Sequence, residues 1–108
     1  MPTPDWGTMT WLVEDKSHPG AGLSLARMTV HTGLTSPAHR HPDTNEAIHV
    51  LSGTISERLN DAWVDAAAGD TVFIPAGTVH QSRCTSAHDA VLMIAYSEGT
   101  RIYEEEKT

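Results

Sequence analysis

The stretch SPAHRHPDTNE, from Ser36 to Glu46, sets two histidines one residue apart and a glutamate five places further on. In an extended chain side chains alternate between faces, so His39 and His41 project together and Arg40 turns away. An unbroken strand would carry Glu46 to the opposite face. Pro42-Asp43-Thr44-Asn45 has the composition of a turn, however, and Pro42 disfavours helix at His41. A new strand beginning at Glu46 can then swing its carboxylate back beside the two imidazoles. The gap has a geometric reason: it supplies a third ligand from a neighbouring strand. On that strand Ile48 and Val50 share the Glu46 face and offer an apolar lining, while His49 faces away.

A fourth donor stands in GDTVFIPAGTVH (residues 69–80), where His80 follows a turn built on Pro75 and Gly77 and so opens a strand. His39, His41, Glu46 and His80 make a mixed set of nitrogen and oxygen donors. Such a set suits one divalent transition metal per chain (Fe, Mn, Co, Ni, Cu or Zn), and six-coordination leaves positions open for water or substrate.

The rest of the chain is consistent with a small metal-binding barrel. Its 108 residues fit one domain spanning 1–108, with a core small enough that dimerisation would help. Fourteen acids against seven Lys and Arg give a formal charge of −7, which disfavours a nucleic-acid backbone or an anionic membrane as partner. Cys84 is the only cysteine, so no internal disulfide forms and the cytoplasm is the expected compartment. No apolar run reaches membrane-spanning length, and the opening MPTPDWGTMT lacks the pattern of a signal peptide.

Short alternating or apolar runs are separated by turn residues: MTWLV (9–13), LSLARMTVH (23–31), EAIHVLS (46–52), TISERL (54–59), AWVDA (62–66), TVFI (71–74), VHQSRC (79–84) and AVLMIAYS (90–97). Asn60 and Asp61 can take the positive φ of a tight hairpin joining TISERL to AWVDA. The acidic tail EEEKT (104–108) is expected to fray. No window carries a helical apolar stripe, so the pattern predicts an all-β sandwich or barrel.

At this point the chain resembles the cupins. Their first motif, G-x5-H-x-H-x(3,4)-E-x6-G, is met by Gly33, His39, His41, Glu46 and Gly53. The second, G-x5-P-x-G-x2-H-x3-N, is met by Gly69, Pro75, Gly77 and His80, with Cys84 where the family usually has Asn. The fifteen residues between the motifs, Thr54 to Ala68, suit the small single-domain members. The resemblance implies an antiparallel jelly-roll β-barrel, a metal inside it on the four residues named, and commonly a homodimer.

Candidate substrate contacts are Ile48, Val50, Met28 and Met93 as apolar walls, and Tyr96 and Arg101 near the end of the last strand. An arginine there could clamp a carboxylate, although pairing with Glu104 or Glu105 is the plainer reading. Cys84 shares a face with His80 and could be a pocket thiol; the plain alternative is a small buried residue. Trp6, Trp11 and Trp63 read as core or dimer-contact aromatics, and His18, His31, His49 and His88 as non-ligating. Ile94 stands where some sugar-acid cupins carry an aspartate, which lowers that reading.

Three functions stay open from sequence. One is an Fe(II) or Mn(II) oxygenase, with Glu46 also able to take a substrate proton. The second is an isomerase, cyclase, lyase or decarboxylase using the metal as a Lewis acid. The third is a small-molecule binding protein without turnover. A mostly apolar pocket with few acid or base groups favours the first.

Overall fold

The computed structural model describes residues 5–106 of the chain. Ten strands form: β1 (Gly7–Val13), β2 (Ser24–Val30), β3 (His39–Arg40), β4 (Glu46–Ser52), β5 (Thr54–Leu59), β6 (Ala62–Ala67), β7 (Thr71–Ile74), β8 (His80–Cys84), β9 (Ala90–Tyr96) and β10 (Glu104–Glu105). They assemble into two five-stranded antiparallel sheets, ordered β1-β2-β9-β4-β7 and β10-β3-β8-β5-β6. This is the all-β jelly-roll barrel expected, and no described segment is helical.

Alternation explains why these segments are strands. In β2, Ser24, Ala26, Met28 and Val30 are buried while Leu25, Arg27 and Thr29 point outward. Its neighbour β9 buries Ala90, Leu92, Ile94 and Tyr96 in register with them. Ile48 and Val50 from β4, Ile74 from β7 and Ile55 from β5 complete a core in which each is at most 1% exposed. Burying a side chain of this size is worth about 1.5–3 kcal/mol.

Turn chemistry sets the corners. Leu59 pairs with Ala62 across a two-residue loop, and Asn60 takes φ 56°. Asp61 does not share the positive φ expected for it; Asn60 alone does so among the described non-glycine residues. At Gly53 the chain leaves one sheet for the other with φ 81°, and a Cβ there would sit 2.8 Å from Ser86 Oγ and 3.0 Å from Ala90 Cα. Only glycine supplies both the conformation and the clearance.

The tail departs from expectation. Instead of fraying, Glu104 and Glu105 pair with Arg40 and His39, and Glu106 N–H donates to Ala38 O at 2.8 Å. Arg40 and Arg58 hold it with ion pairs to Glu104 and Glu106, each 2.9 Å. The like charges are tolerated because each of these two has an arginine opposite. Residues 107–108 lie outside the described residues.

Candidate metal centre

The buried polar groups gather at one end of the barrel. His39 sits on β3, His41 just beyond it, and His80 opens β8 directly across from His39. Glu46 opens β4 in the facing sheet, paired with Tyr96 on one side and Ile74 on the other. The strand carrying the two histidines stops at Arg40, yet His39 and His41 still converge, with ring centroids 4.9 Å apart. One donor atom from each of His39, His41, Glu46 and His80 falls within 4.8 Å of all the others. Glu46, His41 and His80 are 2–3% exposed.

Each imidazole is oriented by a backbone carbonyl. Nδ1 of His39 donates to Pro37 O at 2.8 Å, that of His41 to Ile102 O at 2.7 Å and that of His80 to Thr78 O at 3.0 Å. A neutral ring that donates through Nδ1 presents a lone pair at Nε2, the arrangement of a metal-ligating histidine. Glu46 Oε1 lies 3.2 Å from His41 Nε2 and 3.0 Å from His80 Nε2. Neither approach is aligned as a hydrogen bond, so all three atoms are buried without a partner. Burial of such orphans is costly, and a divalent cation accepting all the lone pairs removes the cost. The donor set fits a metal.

Electrostatics agree. Burial, with the neighbouring His80 next, pushes His39 down to about 4, so it is neutral at ordinary pH. Burial alone would raise Glu46, but the close nitrogens of His41 and His80 and their charge outweigh it and hold the carboxyl at about 2. For His80 burial pulls downward, and the Glu46 carboxylate more than offsets it. A proton on this pair and a bound cation are alternative ways of neutralising one set of converging donors.

A cavity of about 60 Å³ opens beside the cluster. Met28, Ile48, Tyr96 and Arg101 line it as the sequence suggests, with His39, Glu46 and His80 on its wall. Three expected lining residues do not. Val50 lies on the Glu46 face but four residues deeper, about 13 Å along the strand at roughly 3.3 Å per residue, and it packs in the core instead. Met93 points outward because Tyr96, three residues on, points inward, and alternation forbids both; Ile94 takes the place at the wall. Cys84 is 1% exposed in the core, four residues from His80, with its thiol donating to the carbonyl of His88 at 3.3 Å.

Several cavity residues escaped the sequence reading. Tyr103 stacks on His39 with centroids 4.6 Å apart, and only the ordered tail puts it there. Trp6 and Met9 close another side. Trp11 packs on Tyr96 at 5.7 Å, whereas Trp63 is 48% exposed. Arg101 pairs with neither Glu104 nor Glu105; it lies among three aromatic rings. Glu57 is fully buried behind Ser82, whose hydroxyl donates to it at 2.5 Å, and burial pushes its carboxyl up to about 8. Alternation made Glu57 legible, since Ile55 two residues before it faces the core.

Comparison with known proteins places this geometry. The family profile described as "Cupin domain" matches residues 26–96. A germin-like protein, 8-14, of Oryza sativa subsp. japonica is 31% identical over 84 residues, covering 72% of this chain and 39% of that protein. The chain thus spans about two-fifths of the length of the first curated relatives it matches. Among solved structures, an oxalate oxidase superposes with TM-score 0.84 at 23% identity, over 94% of this chain and 56% of that one. A Bacillus subtilis oxalate decarboxylase superposes with TM-score 0.86 at 16% identity, over 96% and 29%. At such identities the two structures speak for the fold alone. The profile match over most of the chain, on a barrel with this His/Glu cluster at its end, makes the chain a member of the cupin family.

Proposed function

We propose that this chain is a metal-dependent oxidoreductase, an oxygenase loaded with Fe(II) or Mn(II), acting on a small organic molecule in the cavity beside Glu46. The supporting observation is what the cavity contains. Among the described residues, every imidazole and carboxylate lining it belongs to the His/Glu cluster. The remaining wall is apolar carbon with two serines, two tyrosines and Arg101. An isomerase or lyase needs a separate base or acid to relocate protons, and beyond Glu46 this wall offers only the phenols of Tyr96 and Tyr103, both held protonated by burial. The same scaffold also carries an oxalate decarboxylase, so the reading rests on the cavity and not on the scaffold.

The metal, when bound, supplies electron transfer between substrate and dioxygen. The chain's own residues do the rest. His39, His41, Glu46 and His80 hold the metal, and their backbone-anchored rings keep the geometry. Met28, Ile48 and Ile94 exclude water from the reacting end. Glu46, held ionised, is the group that can take a proton from a substrate hydroxyl. Burial, reinforced by the Glu46 charge, raises the Tyr96 phenol and keeps its proton in place.

The test is a metal exchange. Metal-free protein reloaded with Fe(II), Mn(II) or Zn(II) is offered hydroxy acids, keto acids and catechols in an oxygen electrode. Oxygen uptake with iron or manganese at least ~100-fold above zinc, about 2.7 kcal/mol of barrier, is the expected result. Turnover that survives zinc and needs no oxygen assigns Lewis-acid chemistry and overturns the proposal. Tight binding without product under any metal assigns a binding protein.

We further propose a homodimer, with the outer face of the β1-β2-β9-β4-β7 sheet as its contact. Phe73, Ala47, Ala95 and Leu25 form one uncharged row across four strands, flanked by Leu23. Phe73 is 59% and Leu23 48% exposed. A flat apolar row of this kind is self-complementary under a two-fold axis. Light scattering should find a dimer that Phe73→Glu converts to monomer with an unchanged circular dichroism spectrum; a monomeric parent ends the idea. The cytoplasm remains the proposed compartment, supported by the one free, buried thiol; no described helix is long and apolar enough to cross a membrane.

A further inference from the structure

Among the described residues Arg101 is the one cation lining the cavity, and no carboxylate meets it. Its guanidinium carbon lies 5.1 Å from the Trp11 ring centroid, 5.5 Å from Tyr96 and 5.0 Å from Tyr103. Its Nε is buried with no hydrogen-bond partner, and among the described residues no carboxylate forms an ion pair with it. Among the described residues its only side-chain polar contact is a long 3.9 Å approach of one terminal nitrogen to Met9 Sδ. The other well-placed arginines behave differently. Arg40 and Arg58, on the outer surface, each pair with a glutamate of the tail at 2.9 Å.

Aromatic faces attract a guanidinium, but they accept its N–H groups only weakly. A buried donor left unmatched is costly. The guanidinium fork has the planar geometry of a carboxylate, and such charge-assisted pairs are roughly twice as strong as neutral ones. Arg101 is also close to the cluster: Tyr103 touches it on one side and stacks on His39 at 4.6 Å. Tyr96, the second ring, meets His41 edge-on at 5.3 Å. One aromatic ring therefore separates the cation from the imidazoles.

We infer that the cavity selects a compact carboxylate, seated with its anionic end on Arg101, its carbon against Ile48 and Ile94, and its reacting end toward Glu46. The inference rests on the cavity being a substrate site and adds its chemical class. Size bounds the ligand. One water needs about 10–15 Å³ of such space, so about 60 Å³ admits a molecule of only a few non-hydrogen atoms. Charge points the same way. A divalent cation on Glu46 together with Arg101 leaves the cavity cationic, and an anionic ligand balances it within a chain whose formal charge is otherwise −7.

The experiment compares pyruvate with pyruvamide, equal in size and different in charge, by titration calorimetry on protein loaded with redox-inert zinc. The parent should prefer pyruvate by at least ~20-fold. Arg101→Met should lose most of that preference, to within ~3-fold, while keeping zinc stoichiometry; Arg101→Lys should fall between. Arg101→Gln, smaller and polar, serves if the methionine variant folds poorly by circular dichroism. A parent that binds acid and amide alike, or an Arg101 variant that keeps the full preference, overturns the inference. The same pair titrated into metal-free protein separates the two proposals. Loss of zinc binding with an Arg101-dependent preference intact refutes the metal reading alone. One zinc per chain with no such preference refutes the anion pocket alone.

Discussion

His41→Ala and His80→Ala should each emerge from a chelator-free purification with almost no transition metal, against about one ion per parent chain. The expectation follows from geometry. Both Nε2 atoms are buried, unpartnered and within 3.2 Å of Glu46 Oε1. Removing one leaves the cation a donor short with no described side chain outside the cluster to replace it. Loss of an outer-shell partner alone costs about 10–100-fold in affinity, so loss of a ligand should exceed ~100-fold. Glu46→Gln should cost less, on the order of 10-fold, because the amide oxygen still coordinates while the charge is gone. Elemental analysis of the purified variants reads the result directly. Full metal in both histidine variants would reject the centre, and with it the oxygenase reading.

Metal-free Glu57→Gln should be more stable than its parent in alkali and no different in mild acid. Glu57 is fully buried, one carboxyl oxygen accepts from Ser82 and the other has no partner. Burial is the main cause that raises it from 4.5 to about 8, with the Ser82 hydrogen bond and His80 opposing. A folded value above the unfolded one means that the folded state holds the proton more tightly. Its contribution to stability is therefore complete below about pH 4.5 and is lost as pH rises through 8. Each pH unit in that window costs about 1.4 kcal/mol, a ceiling on the order of 5 kcal/mol. Glutamine carries no such slope. Chemical denaturation at pH 5 and pH 9 measures both ends, and parallel curves for parent and variant would dispose of the buried neutral acid. Zinc loading should shrink the gap, since a nearby cation favours the carboxylate.

Much of the barrel was legible because its cues are local. Strands β4, β5 and β7 begin and end where alternation and the flanking glycines and proline place them. The turn at Pro42–Asn45 returns Glu46 to the imidazoles because proline and Asx residues bend the chain whatever lies beyond. The positive φ of Gly33, Gly53, Gly69 and Gly77 likewise sits at the motif positions. Errors came where a local rule was asked a non-local question. Face alone puts Val50 at the cavity, yet face says nothing of depth along a strand, and Val50 packs in the core. Met93 and Tyr96, three residues apart on one strand, cannot both line the cavity, because alternation sends them to opposite faces.

By itself the sequence determined the all-β class, the spacing of His39, His41, Glu46 and His80, and the turns that let them meet. Side-chain direction and turn propensity act over two to five residues, so they are written in the order of residues. Only the tertiary structure decided what surrounds the cluster. The tail is held by the Glu106 N–H to Ala38 O bond and by Ile102 O on His41, contacts between residues 61 to 68 positions apart. Those contacts bring Arg101 and Tyr103 to the cavity and turn a run of like charges into a strand. Pairing energy between distant segments depends on where the rest of the barrel has already put them, and no local pattern carries that information.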